Sequence, residues 1–292
     1  MKFSKFEALG NDFLIVLAKE IPRPLSPSDL AREICERRRG VGADGLLVIR
    51  HLDDPRAEIS MQVWNADGTE AEISGNGLRC AAAFEVLGRG SQLKEISIDT
   101  RAGVRVLRLV EHAGSRWVFV ADMGEPMLSS EAIPVTLSEA QNICVDHPIE
   151  VGGMSLRATL TSMGNPHCSI FVRDFQSIDW RGLGPLIEHL PLFPNRTNVE
   201  FIRVVDPDHI EVRFWERGAG ETLSSGTGAC AAAVASVLNG LADRSVRVLT
   251  PAGELKVDWT DTGVVMLQGP VRFVFRGDWS DSAAQEGLVQ YV

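Results

Sequence analysis

Two serines sit in nearly the same phrase. AEISGNGLRCAAA, residues 71–83, and TLSSGTGACAAA, residues 222–233, place Ser74 and Ser225 immediately before a Gly-x-Gly that opens a run of small residues. A serine at a helix start accepts a backbone N–H of the first turn. The next amides have no partner inside the helix and lie at its positive end, so the local geometry holds an anion. No GKS or GKT follows the glycines, which excludes a P-loop, and a carboxylate suits the cradle better than a phosphate. A nucleophile elbow is excluded because neither ISGNG nor SSGTG reads G-x-S-x-G. One acyl transfer also has no use for two symmetric serines. The plain alternative, that both serines only cap helices, stands beside the ligand reading at this point.

The phrases are part of a longer repetition. Ser74 and Ser225 are 151 positions apart (225 less 74), and Trp64 with Trp215 and Glu70 with Glu221 share that separation. ALGNDF near the start and SMGNPHC at residues 162–168 place Asn11 and Asn165 in matching turns, 154 positions apart (165 less 11). A repeat of half the chain predicts two similar domains rather than a solenoid. Strand-like stretches dominate each half, among them GLLVIR, EISMQVW and RWVFVA in the first and HIEVRFW, LKVDW, GVVMLQG and VRFVF in the second. Helices are expected at SPSDLAREICERR, after an N-cap serine, and after each glycine loop, where little charge marks a central helix wrapped by strands. The fold class is therefore α+β, built twice. DMGEP, residues 122–126, is the candidate crossing between halves. The domains are expected at 1–120 with 270–292, and at 121–269. GDWSDSAAQEG, from residue 277 on, reads as an irregular polar tail.

Composition narrows the classes further. The chain has 292 residues, 45% of them hydrophobic, enough for two cores. A net charge of −10 and a pI near 5.2 argue against a nucleic-acid face. The basic stretch ERRRG, residues 36–40, reads as a solvated helix end. No window approaches the ~20 apolar residues of a membrane span, and MKFSKFEALG lacks the apolar core of a signal peptide. Five cysteines without CxxC spacing suit a reducing compartment and read mostly as small buried hydrophobes, so a cytoplasmic location is expected. Six histidines without ligand spacing and the lack of a dinucleotide fingerprint predict neither metal nor organic cofactor.

WNADGTEAEISGNGLRC, SMGNPHC and WERGAGETLSSGTGAC, with ALGNDF and GVGADG, closely resemble the diaminopimelate epimerase family over Phe3 to about Pro270. The resemblance implies a cofactor-independent, two-base interconversion of LL- and meso-diaminopimelate in lysine biosynthesis. Its fold would be two pseudo-symmetric domains, each a strand barrel around a central helix, with the active site in the cleft between them, and a homodimer is implied. Carried over motif by motif, the resemblance assigns Asn11, Asn65, Asn165, Asn198, Glu216 and Arg217 to the substrate. Gly75 with Asn76, and Gly226 with Thr227, would offer backbone N–H groups to its carboxylate. His167 and Glu216 would be the polar partners of the acid/base pair.

The departure falls on that pair, because the family's two catalytic cysteine positions are Ser74 and Ser225 here. A thiol ionises near ~8.5 and a water-like hydroxyl near about 15.7. The gap of about 7 units is on the order of 10 kcal/mol, so the chain as written is expected to be a very poor epimerase. Two origins remain open. Serines aimed at these two positions in an epimerase would keep shape and remove thiol chemistry, and the survival of Cys80, Cys144, Cys168 and Cys230 rules out a general removal of cysteine. Alternatively, the chain is a divergent relative that binds an amino acid without catalysis, or isomerises or dehydrates a different one with His167 or Glu216 as base. Relatives in the wider proline-racemase-like superfamily vary this pair when they change reaction. Glu7 replaces a histidine common in the family and Gly45 a glutamine of some members, and neither decides the function.

Overall fold

The structure is a computed structural model that describes residues 1–90 and 94–280. The chain forms two compact units, one of residues 1–117 with 271 onward and one of residues 118–270.

The first unit contains β1 (Lys2–Ala8), β2 (Asn11–Leu17), α1 (Pro27–Ile34), β3 (Gly45–Asp54), β4 (Ala57–Asn65), β5 (Glu70–Ala71), α2 (Gly75–Arg89), β6 (Glu95–Thr100), β7 (Gly103–Ala113) and the start of β8 (Arg116–Asp122). The second holds β9 (Cys144–Val151), β10 (Met154–Ser162), β11 (Pro166–Phe171), α3 (Trp180–Glu188), β12 (Asn198–Asp206), β13 (His209–Glu216), β14 (Gly220–Thr222), α4 (Gly226–Leu238), β15 (Ser245–Thr250) and β16 (Gly253–Trp259). β17 (Val265–Asp278) begins in the second unit and ends in the first.

The units share one pairing order. β1 to β2, β3 to β4 and β6 to β7 run antiparallel, while β2 to β3 and β4 to β6 run parallel. In the second unit β10 to β11, β12 to β13 and β15 to β16 are antiparallel, with β11 to β12 and β13 to β15 parallel. The register repeats as well: Trp64 pairs with Glu70 and Trp215 with Glu221. The separation of 151 positions thus marks equivalent places in two copies of one α+β barrel.

Each barrel closes on a helix whose first three turns are almost wholly buried. Leu78, Cys80 and Ala81 to Ala83 of α2 are solvent-free, as are Ala229 to Ala232 of α4. The middle of α4 is apolar all round and has no solvent face, whereas α2 also buries Arg79 and Glu85; the alanines of both let the strands approach closely. Outside this centre, α1 packs Leu30, Ala31 and Ile34 on Leu14, Val16, Leu46 and Val48 of the first sheet. In the second unit α3 supplies Trp180, Leu183 and Ile187 to a core with Ile149, Leu160 and Phe201.

Three local expectations change. α1 stops at Ile34, and residues 36–40 form a turn rather than a helix end, with the Glu36 carboxylate accepting the Arg38 (2.7 Å) and Arg39 amides. GVVMLQG and VRFVF are one strand, β17, which continues through Pro270. Gly277 and Asp278 close that strand, and Met1 and Trp279 exchange backbone hydrogen bonds of 2.8 Å, so the expected tail begins as ordered structure. Residues 281–292 of that tail lie outside the described residues.

Candidate active site: two related half-sites

Each half-site is assembled from a turn, a strand end and a helix start. Gly10 and Gly164 adopt φ of 79° and 95°, the left-handed region open to glycine, and so swing Asn11 and Asn165 out at the mouths of β2 and β11. Ser74 caps α2, its hydroxyl oxygen accepting the Gly77 amide at 3.0 Å while its carbonyl accepts that of Leu78 at 2.8 Å. Ser225 repeats this with Gly228 at 3.2 Å and Ala229 at 3.0 Å. Gly75 with Asn76, and Gly226 with Thr227, are then the first helical pairs, whose N–H groups have no acceptor within their helix.

The asparagines are tied to those helix starts. In the first unit Asn76 donates to Asn11 Oδ1 at 3.1 Å, and Asn11 donates to Asp44 Oδ2 at 2.9 Å. Buried Arg79 donates to Asn76 Oδ1. In the second unit Asn165 reaches Thr227 Oγ1 at 3.5 Å. His167, fully buried, sets Nε2 at 2.9 Å from Asn165 Oδ1 and Nδ1 at 2.7 Å from Glu200 Oε1.

The strand ends differ in chemistry. Asn65, closing β4, donates to Thr69 Oγ1 at 3.0 Å. Glu216, closing β13 at the equivalent place, accepts the Ser225 hydroxyl at 2.9 Å. Burial pushes the Glu216 carboxyl above the usual range, opposed by the hydroxyls of Thr222 and Ser225. Asn198 donates to Pro166 O at 2.9 Å and accepts the Arg217 amide at 3.0 Å, which fixes the start of the ERG turn. Of the residues expected to act together, the structure joins Ser225 to Glu216, Asn165 to His167, Asn11 to Asn76 and Asn198 to Arg217. Within the second unit both ring nitrogens of His167 face Asn165 and Glu200 rather than Ser225.

Several positioning groups are not among the sequence expectations. Glu188, buried at the end of α3, accepts the Gly218 amide at 3.0 Å and Trp215 Nε1 at 2.8 Å, holding the turn that carries Glu216 and Arg217. Replacing it with alanine strands both donors, and a loss of about 1–3 kcal/mol is expected. Urea denaturation measures the loss, and fast exchange of the Gly218 amide would place it at this turn. Glu188→Gln, which keeps an acceptor oxygen, should lose less.

Asp12 is a second such group. Its oxygens meet Lys5 Nζ at 2.7 Å and Arg37 Nη2 at 2.8 Å, and Arg37 also meets Asp44 at 2.6 Å, so the first arginine of ERRRG braces the Asn11 turn. Burial raises the Asp12 carboxyl, but hydrogen bonds from Arg37 and Lys5 more than offset it, leaving a value of about 2. A depressed carboxylate stabilises the fold above its unfolded value, and the contribution disappears as pH falls through about 4 toward about 2. The shift corresponds to roughly 2 kcal/mol at most, reduced by solvent screening of half-exposed Arg37. Asp12→Asn should therefore lower the urea midpoint clearly at pH 6 and by only a fraction of that amount near pH 2.5.

No remaining thiol can stand in at positions 74 and 225. All five cysteines are free and buried. Burial raises Cys80, Cys144 and Cys168, and it pushes Cys35 to about 12.

Among the described residues no helix is long and apolar enough to cross a membrane. A family model described as diaminopimelate epimerase matches residues 3–129 and 159–274. A diaminopimelate epimerase of Pelotomaculum thermopropionicum is 45% identical over 281 residues, covering 96% of this chain and 99% of the relative. That of Moorella thermoacetica is 44% identical over 280 residues, with 96% and 99% covered. A solved probable proline racemase from Agrobacterium radiobacter superposes with a TM-score of 0.69 at 13% identity, covering 96% of this chain and 92% of that one. A hydroxyproline epimerase from Agrobacterium vitis gives 0.67 at 14%, with 95% and 91% covered. At such identities these two establish likeness of fold alone.

Proposed function

The chain belongs to the diaminopimelate epimerase family of isomerases, and on that premise we propose that it binds diaminopimelate at the two half-sites, with positions 74 and 225 as the acid/base pair and serine at both making turnover very slow. The observation that carries this reading is the duplicated arrangement itself. Each serine caps a buried helix whose second residue is tied to an asparagine presented by a glycine turn. Amides at the two helix starts suit the carboxylate on the reacting carbon. Asn65, Asn198 and Arg217 are assigned to the carboxylate at the far end, which makes the site selective for a diacid.

The family reaction takes a hydrogen from the α-carbon on one face and returns one on the other, so one side chain must give up a proton easily and its partner must hold one. Ser225 donates to a carboxylate, yet its hydroxyl lies about 7 units above a thiol and no neighbour recovers on the order of 10 kcal/mol. Binding is thus separable from chemistry. Calorimetry with LL- or meso-diaminopimelate should give heat and raise the melting temperature, while lysine, lacking the second carboxylate, should give neither at the same concentration. No heat and no thermal shift with millimolar diaminopimelate would remove the substrate assignment.

Two further proposals accompany this reading. A homodimer follows the family pattern, and light scattering at a mass near 32 kDa rather than twice that would exclude it. A cytoplasmic location is supported by five free thiols, since an oxidising compartment favours disulfides.

A further inference from the structure

Glu188, at the end of α3, is a buried carboxylate outside the proposed acid/base pair. Each of its neighbours is a donor. Oε1 accepts the Gly218 amide at 3.0 Å and lies 3.6 Å from Arg196 Nη1, while Oε2 accepts Trp215 Nε1 at 2.8 Å. Close packing keeps α3 in register with that indole, since a Cβ on Gly184 would lie 2.7 Å from the Trp215 ring. One carboxylate therefore ties together two separate stretches, residues 195–198 and 215–218.

Arg217 is held between the same two stretches. Its amide donates to Asn198 Oδ1 at 3.0 Å and its Nη1 to the Asn195 carbonyl at 3.2 Å. Between those two acceptors Arg196 has φ of 59°, a left-handed conformation that a residue with a side chain keeps only where its surroundings impose it. The Phe193 carbonyl accepts its amide at 3.0 Å, and Glu188 faces its side chain. The Arg217 guanidinium is exposed and has no carboxylate partner among the described residues, so most of its planar fork of donors is open to a ligand. The first unit secures the equivalent turn without a cation. Trp64 and Asn65 stand where Trp215 and Glu216 do, and Ala66 takes the place of Arg217. There the outer helix α1 reaches the turn with donors, Ser28 Oγ to the Gly68 carbonyl at 2.7 Å and Arg32 Nη1 to the Asp67 carbonyl at 3.2 Å. Each outer helix braces its turn, and the turn of the second unit delivers a guanidinium.

We infer that Glu188 is a positioning residue for the ligand's second carboxylate: by fixing the Gly218 amide and the Arg196 turn it sets the direction of Arg217. The grip on a diacid is then governed from the end of α3, by a side chain that does not itself touch the ligand. The inference rests on the reading that Arg217 meets that carboxylate. Its test compares variants with the unsubstituted chain, so its failure and the failure of that reading are separate events.

The test is calorimetric titration with meso-diaminopimelate of the unsubstituted chain, Glu188→Gln, Arg217→Lys and the double variant, each well below its melting temperature. Glu188→Gln keeps the volume and one acceptor oxygen, and it should weaken binding about tenfold. Arg217→Lys keeps the charge and loses the fork, and it should weaken binding at least as much. Because Glu188 acts through Arg217, the double variant should be no more than about threefold weaker than Arg217→Lys alone, whereas independent effects would add a further factor of about ten. Arg196→Gly accepts the left-handed turn and removes only the ion pair. It should weaken binding about threefold and add nothing to Arg217→Lys, and it carries the test if Glu188→Gln does not fold. A general loosening of the fold lowers the melting temperature without this non-additivity. Affinity unchanged in Glu188→Gln, or losses that multiply in the double variant, would overturn the inference. No binding by the unsubstituted chain would overturn the substrate assignment, and the inference with it.

Discussion

Ser74→Cys combined with Ser225→Cys is expected to bring α-hydrogen exchange of diaminopimelate up by at least about a thousandfold over the unsubstituted chain. The ionisation gap of on the order of 10 kcal/mol sets an upper limit near ~10⁷, at tenfold per 1.36 kcal/mol. The smaller figure is expected because a transition state carries only part of that charge. Both substitutions change one atom and leave the cradle, the asparagines and Glu216 in place. Each single cysteine should stay slow in epimerisation, because one face then still presents a hydroxyl. Deuterium incorporation followed by mass spectrometry reads the result. A folded double cysteine form with no exchange would mean that the two half-sites serve other chemistry.

The second large effect concerns stability. Glu200→Leu should cost about 3–5 kcal/mol, because it leaves His167 Nδ1 buried without its carboxylate. Adding His167→Phe should recover most of that loss. The reason lies in the protein itself: the first unit fills the equivalent places with Phe13 and Leu47, both buried. Replacing a buried polar pair by apolar groups of similar volume is often neutral. Urea denaturation of the two singles and the double gives the coupling directly. A double variant as unstable as the worse single would show that the pair is tied into more than each other, with Ser169 and Asn165 the first suspects.

The fold was legible where the chain repeats itself. Trp64 with Glu70 and Trp215 with Glu221 mark one register in two barrels, and Ser74 and Ser225 announce two helices that begin where the Ser-Gly-x-Gly pattern places them. α3 is hidden because Gly182, Gly184 and Pro185 oppose a helix. Packing overrides them: Asp179 caps the helix at Gly182, and a Cβ on Gly184 would lie 2.7 Å from the Trp215 ring. β17 reads as two strands because Pro270 interrupts the pattern, and strand pairing on both sides carries the chain through.

The candidate site was legible to the extent that its residues lie in motifs. Asn11, Asn165, Glu216 and the helix starts do. Glu200 and Glu188 do not, since a carboxylate's burial depends on partners 33 and 30 residues away, His167 and Gly218. The one local signal was period two on β12, where Asn198 and Glu200 must share a face. The run of arginines is solvated as read, but the bracing by Arg37 was not legible for a related reason, because Asp12 lies 25 residues away.

The central claim, that this is an intact epimerase site holding hydroxyls where acid/base chemistry is needed, is tested most directly on the chain as it stands. Meso-diaminopimelate at a concentration that saturates binding is incubated with it in deuterated buffer, and incorporation at the α-carbon is compared with buffer alone. Binding with incorporation indistinguishable from buffer is the predicted result. Incorporation at a rate that supports ordinary enzymatic turnover would contradict the account, and it would require a base other than the residues at positions 74 and 225.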